Sequence, residues 1–259
     1  MKIILINLAR ATERRQRMDE QFKSFNLDYD VLDATDGRHL SADDKALVDH
    51  ESRKAITPHP LTDNEIGCWI SHRRAMRAII DSGVKMAAIL EDDAALAADF
   101  PYVLEAIEDH GGSFDFIDLH RNFKRDEFFV SSRPLLPGCD LGRIGYTHMR
   151  ATAYVMSREG AKKFLNYAPR FAHAVDKELH RWWANGLDIY GLEKPVAVQD
   201  DGGHSYIEET RGQERPQERL RYPDANQLQW RLKRKITRAM DSIQKRVAFP
   251  AYVRKGRVA

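Results

Sequence analysis

The stretch "KMAAILEDDAAL", residues 85–96, decides how the chain is read. Its short apolar run ends at Leu90, a length that suits a buried strand. Three consecutive acids follow, Glu91, Asp92 and Asp93, and then the chain turns apolar again. Adjacent carboxylates repel one another unless water or a cation screens them. A strand that ends in acids presents them at the carboxyl edge of a sheet, where open α/β sheets bind their ligands.

The flanking sequence supports such a sheet. "KIILINL" (2–8) reads as a first buried strand. Met18, Phe22 and Phe25 then recur at helical spacing after Thr12, a candidate cap. "DYDVLDATDG" (28–37) reads as a second strand, and residues 38–60 as a polar surface excursion with a short helix. "LTDNEIGCWISHRRAMRAIIDSG" (61–83) reads as a long helix: Thr62 and Glu65 fit a capping box, and Gly83 sits where a helix stops. A helix over 100–112 and a strand over 114–120 continue the alternation, which argues for an α/β sheet with crossover helices.

Residues 121–150 read as irregular, with Pro134, Pro137 and Gly138. After them come a strand (150–157), a helix (158–168) and a second helix beginning near Asp176. A strand pair or bent strand (187–199) and a Gly-containing loop over 200–212 follow. Over 226–248, Leu228, Leu232, Ile236, Met240, Ile243 and Val247 mark an amphipathic helix. The expected division is a body of residues 1–225 and a basic helical tail, 226–259.

A length of 259 residues with 42% hydrophobic content suits one large α/β domain with an appendage. The net charge of +2 hides an asymmetry. From Leu228 to Ala259 there are ten Lys or Arg and one acid, Asp241, so the tail carries +9 and residues 1–227 carry −7. Such a tail calls for an anionic partner. Two cysteines, Cys68 and Cys139, form no metal or disulfide framework and point to a reducing compartment. The first residues do not resemble a secretory signal, and no run approaches the ~18 apolar residues of a membrane span. The expectation is a cytoplasmic protein, soluble or peripheral to a membrane.

Clustered carboxylates at a strand end suit a hard cation, Mg²⁺ or Mn²⁺, which commonly combines one or two carboxylates with substrate phosphate oxygens. The plainer reading is a solvated turn. His72 lies four residues after Cys68, on one helical face, and reads in isolation as a hydrogen-bonded structural histidine. Asp176, at a helix start, is either a cap or a general base. Of Trp182 and Trp183, one is expected in the core while the other is available to stack on a sugar. Gly202 and Gly203 allow His204 to approach a phosphate or metal. Arg10, Arg14 and Arg15 can pair with phosphate. No P-loop and no dinucleotide glycine pattern occurs, which excludes the common P-loop ATPases and Rossmann dehydrogenases. A metal-dependent phosphoryl-transfer enzyme or nuclease remains as an alternative, with Asp115 and Asp118 as further carboxylates.

Taken in order, "INLARATERRQRM", "LTDNEIGCWISHRRAM", "AAILEDDAAL", "ATAYVMSREGAKKFL", "VDKELHRWW" and "SYIEETR" resemble glycosyltransferase family 25. This family includes bacterial lipooligosaccharide galactosyltransferases and collagen galactosyltransferases. The resemblance spans residues 3 to about 211, and the basic tail is similar to that of bacterial members. It implies a GT-A-like, Rossmann-like nucleotide-sugar fold with a mixed central sheet. It also implies a UDP-sugar donor, most commonly UDP-galactose, inversion at the anomeric carbon and a lipooligosaccharide or related glycan or glycolipid acceptor. On this resemblance Asp92 and Asp93, beside Glu91, hold the Mn²⁺ or Mg²⁺, with His204 as a late metal or diphosphate contact. Asn7, Leu8 and Arg14 or Arg15 form the donor segment, to which Glu91 and Asp92 also belong. Glu65, Ser71 and His72 belong to a family motif on the donor side, and Asp176 is the base. No nucleic acid is expected; the tail's anionic partner is the inner face of a membrane.

Overall fold

Alternation governs the first strand. In β1 (Lys2–Asn7), Ile4 and Ile6 enter one apolar layer while Ile3 and Leu5 enter the other. In β3 (Met86–Glu91), Ala87 and Ile89 face the first layer, Ala88 and Leu90 the second. A strand buried on both faces has no polar side, so both segments read as unbroken apolar runs. The computed structural model describes residues 1–110, 114–120, 129–145, 150–200 and 220–257.

The remaining strands are β2 (Asp30–Asp33), β4 (Ala94–Leu96), β5 (Phe116–Asp118), β6 (Phe129–Leu136), β7 (Cys139–Ile144), β8 (Ala153–Ser157), β9 (Ile189–Leu192) and β10 (Ala197–Gln199). Of the ten strands among the described residues, eight form one mixed sheet in the order β2-β1-β3-β8-β5-β9-β7-β6, and β4 pairs with β10 in a small antiparallel ribbon. β2, β1 and β3 run parallel, whereas β8 runs against β3. The carboxyl ends of β1 and β3 therefore meet the start of β8, with Ile6 level with Glu91 and Leu90 level with Ala153.

On one face of the sheet lie α1 (Thr12–Ser24), through Met18 and Phe22, and α5 (Phe100–Asp109). On the other lie α4 (Asp63–Ser82), α6 (Arg158–Tyr167), α7 (Val175–Leu179) and α8 (Trp182–Asn185). Trp69 of α4 stacks between Phe171 and Phe164 and anchors that layer. The capping box on α4 forms as expected: Thr62 Oγ1 accepts from Glu65 N–H, the Glu65 carboxylate accepts from Thr62 N–H, and Gly83 ends the helix at φ 73°.

Four local expectations change. Thr12 does not cap α1; it is the first helical residue, and no side chain caps the preceding Ala11. The excursion over 38–60 holds two short helices, α2 (Ala42–Ala46) and α3 (His50–Ile56), the first closed by a Ser41–Asp44 capping box. The irregular region contains a hairpin, β6 and β7, turned at Gly138 with φ 75°. Pro134 is tolerated there because β6 is an edge strand, where a missing N–H breaks no ladder. Finally, the helix expected from Asp176 onward is broken into α7 and α8. Arg181 leaves helical geometry between them and bonds to Glu178 and Asp241.

The last helix, α9 (Leu228–Arg257), is 30 residues long and contains Pro250. Trp230, Asp241, Phe249 and Tyr252 turn toward the body. Tyr252 stacks on Trp182 at 4.0 Å and donates to the Ile189 carbonyl, and Trp230 donates to Asp224. Among the described residues, no helix is long and apolar enough to cross a membrane.

Candidate functional site

A cleft of about 290 Å³ opens at the carboxyl ends of β1 and β3. Topology brings its walls together. Leu8 and Arg14 come from the β1–α1 turn, and Thr35 and Gly37 follow β2. Glu65, Cys68, Ser71 and His72 lie on α4, Glu91 to Asp93 close β3, Thr152 precedes β8, and Asp176 lies on α7.

Each of the three acids has a different environment. Glu91 Oε1 lies 3.0 Å from His72 Nε2 and 3.6 Å from Cys68 Sγ. Burial pushes its carboxyl up, but the His72 imidazole and the Cys68 thiol outweigh this, and the net shift is downward. An ionised Glu91 can only accept, so His72 Nε2 donates to it, and His72 Nδ1 shares a hydrogen bond with the Tyr154 hydroxyl, 2.8 Å away. Cys68 stays a thiol, because burial and then the Glu91 charge push it well above its ordinary value. The potential ligand atoms of Cys68, His72 and Glu91 lie within 4.8 Å of one another. Their spacings and the protonated thiol describe a hydrogen-bonded network.

Asp92 is buried with both oxygens engaged. Asn7 Nδ2 donates to Oδ2 at 2.8 Å, and Arg14 donates to Oδ1 at 2.9 Å. Asp93 accepts from Gln199 Nε2 through Oδ2, while Oδ1 is buried with no hydrogen-bond partner among the described residues. Burial, followed by the Glu91 charge, pushes the Asp93 carboxyl up to about 7. The donor set fits a hard divalent cation. Asp93 offers an orphaned oxygen, and Asp92 adds one wherever its bond to Arg14 is exchanged.

Asp176 lies on the α7 wall of the same cleft. Its side chain does not cap α7, which has Ala174 at the N-cap position, and the Lys177 amide donates to its Oδ1 at 2.7 Å. The capping role weighed from sequence is not the one it plays.

A family pattern described as "Glycosyltransferase family 25 (LPS biosynthesis protein)" matches residues 1–179. The chain belongs to glycosyltransferase family 25. A glycosyltransferase 25 family member of Anopheles gambiae is 29% identical over 83% of this chain and 40% of its own length. Procollagen galactosyltransferase 2 of Homo sapiens is 26% identical over 65% of this chain and 28% of its own. An inactive glycosyltransferase 25 family member 3 of Mus musculus is 30% identical over 65% and 29%. The chain thus spans well under half the length of these relatives. A solved structure, that of A197 from STIV, aligns with a TM-score of 0.40 at 12% identity, covering 76% of this chain and 83% of that one.

Within this family 25 chain the structure gathers most of the sequence candidates, with qualifications. Arg15 is not among the cleft residues; it pairs with Asp19 and Tyr29 on another side of α1. Only Arg14, one position earlier, points at the acids. Ser71 and Glu65 line the cleft, yet their oxygens are used locally. Ser71 donates to the Gly67 carbonyl and accepts from Thr35 N–H, and Glu65 completes the capping box. Trp183 does not line the cleft; its indole N–H donates to Asp241 of α9. Asp115 accepts from Lys163 and the Asp188 amide, and Asp118 pairs with His180. Neither lines the cleft, so the extra carboxylates of a two-metal site do not converge there. His204 lies outside the described residues.

Sequence reading missed Tyr154, Gln199 and Arg150. Gln199 reaches Asp93 because β10 pairs with β4 and sets Gln199 level with Ala94. No local pattern announces a contact made across 106 residues. Arg150 lines the cleft and adds a second cation to it.

Proposed function

We propose that this chain is an inverting, metal-dependent glycosyltransferase of GT-A-like architecture. It moves a hexosyl group, galactose before glucose, from a UDP-sugar to a hydroxyl of a lipooligosaccharide or related glycan or glycolipid. The observation that carries this reading is one cleft, in a family 25 chain, with an acidic strand end on one wall and a separate carboxylate, Asp176, on another.

Asp93, joined by Asp92, would hold the Mn²⁺ or Mg²⁺. When bound, such an ion supplies positive charge against the leaving diphosphate. Arg14 and Arg150 both line the cleft and add fixed positive charge to it, and the Arg14 fork is suited to phosphate oxygens. The Tyr154–His72–Glu91 chain ties the strand end to α4 and β8, and Asp92 would exchange its bond to Arg14 in order to join Asp93 on a cation. Asp176 takes the proton of the acceptor hydroxyl as it attacks, a role generally worth about 10²–10⁴ in rate. His204 remains a proposed further contact to metal or diphosphate. One relative bears on the transferred sugar through its name, procollagen galactosyltransferase 2.

The test is UDP release from UDP-galactose, UDP-glucose and UDP-N-acetylhexosamines, each with Mn²⁺, Mg²⁺ or EDTA. Cation-dependent release from UDP-galactose is expected, even as slow hydrolysis without acceptor. Absence of release from every donor, with no thermal stabilisation by UDP plus Mn²⁺, sinks the proposal.

A further inference from the structure

An amphipathic helix ordinarily turns its apolar stripe to the protein core. In α9 the stripe points the other way. Leu228, Leu232, Ile236, Met240, Ile243 and Val247 are each between 50% and 78% exposed. The body is met instead by Trp230, Arg234, Asp241, Lys245, Phe249 and Tyr252. At 3.6 residues per turn these two stripes lie on opposite sides of the helix, roughly 180° apart.

The attachment to the body is specific. Lys54 sits 4.5 Å over the Trp230 ring, and Arg234 donates to the Ala225 carbonyl. Asp241 receives Arg181 and the Trp183 indole, while Arg143 donates to the Tyr252 carbonyl. The only acid of α9 is thereby turned inward and paired. Arg231, Lys233, Lys235, Arg238 and Arg246 stay exposed, and helical spacing sets Lys233, Lys235 and Arg246 beside the outward stripe.

From this arrangement we infer that α9 is a membrane-docking surface, lying in the plane of an anionic bilayer with its outward stripe among the acyl chains. Apolar side chains flanked by long basic ones match that interface: the stripe enters and the cations reach the headgroups. Nucleic acid would match the charge but leave the stripe in water. A second copy would match the stripe but bring two strongly cationic helices side by side. The inference stands on α9 alone and holds or fails whatever the cleft transfers.

The experiment is co-sedimentation of the full chain with vesicles of phosphatidylcholine alone or mixed with phosphatidylglycerol, at low and high salt. Binding to the anionic vesicles only, weakened by salt, is expected. The Ile236→Glu/Ile243→Glu variant should lose at least tenfold in binding with its melting temperature unchanged. Lys233→Gln, Lys235→Gln and Arg246→Gln should each cost about fivefold. The inference is overturned if anionic vesicles are not bound or if the double glutamate variant binds them as well as the parent. It is equally overturned if the stripe proves to hold a dimer, or an RNA oligonucleotide binds where vesicles do not.

Discussion

Arg14 reaches from the first turn of α1 to Asp92 of the β3 strand end, donating to Oδ1 at 2.9 Å with both side chains almost withdrawn from solvent. The acid expected from sequence to bind a cation is thus already neutralised by one. Arg14→Ala leaves Asp92 with Asn7 alone. A loss of about 1–3 kcal/mol follows from exposing one half of a buried charge-assisted bond. Thermal denaturation should show it, together with weaker stabilisation by UDP. Arg14→Lys keeps the charge but not the fork and should recover only part of both.

The neighbouring Asp93 is expected to make the ligand-free protein pH-sensitive. Its carboxyl is raised to about 7 from an ordinary 3.8, so between these values the folded state holds a proton that the unfolded state has lost. Stability from this group therefore falls as pH rises from about 4 to about 7 and stays low above. Asp93→Asn removes the penalty. At pH 8 it should stabilise the ligand-free chain by on the order of 2 kcal/mol, a rise of about 4–8 °C in melting temperature. At pH 4 the two proteins should melt together. Equal melting curves at both values would show that Asp93 ionises normally.

For Asp176 the expected signature is kinetic. Asp176→Asn should lower kcat by about 10²–10⁴ while leaving KM for the donor within a few-fold. Its side chain caps no helix, so the melting temperature should change little. A variant that turns over at the parental rate removes Asp176 from the chemistry.

Gly67 tests how the cleft is shaped. A Cβ at this position would sit 2.5 Å from the Thr35 carbonyl oxygen, a backbone atom with nowhere to go. Gly67→Ala must push α4 away from the loop that carries Thr35 and Gly37, both of which line the cleft. A cost of about 1–3 kcal/mol is expected from such overpacking. Donor binding should weaken as well, measurable by UDP-induced thermal shift.

Local rules made much of this protein legible before any coordinates. The apolar run ending at Glu91, the capping box of Thr62 and Glu65 and the stop at Gly83 depend on neighbours within a few residues, and the structure contains all three. The hairpin of β6 and β7 was hidden by Pro134, which is harmless only because β6 ends up at an edge, a fact of sheet order. Arg14 and Arg15 look equivalent in sequence. Only the direction in which α1 packs on β1 turns one to Asp92 and the other to Asp19.

The sequence by itself determined that strands alternate with helices, that acids close one strand, and that an amphipathic basic helix ends the described chain. These follow from spacing and backbone chemistry. Only the tertiary structure decided what each acid touches and which way α9 faces. Helical periodicity creates a stripe but does not choose its partner. Trp230, Asp241 and Tyr252 found complementary groups on the body, and that left the more regular apolar stripe to solvent.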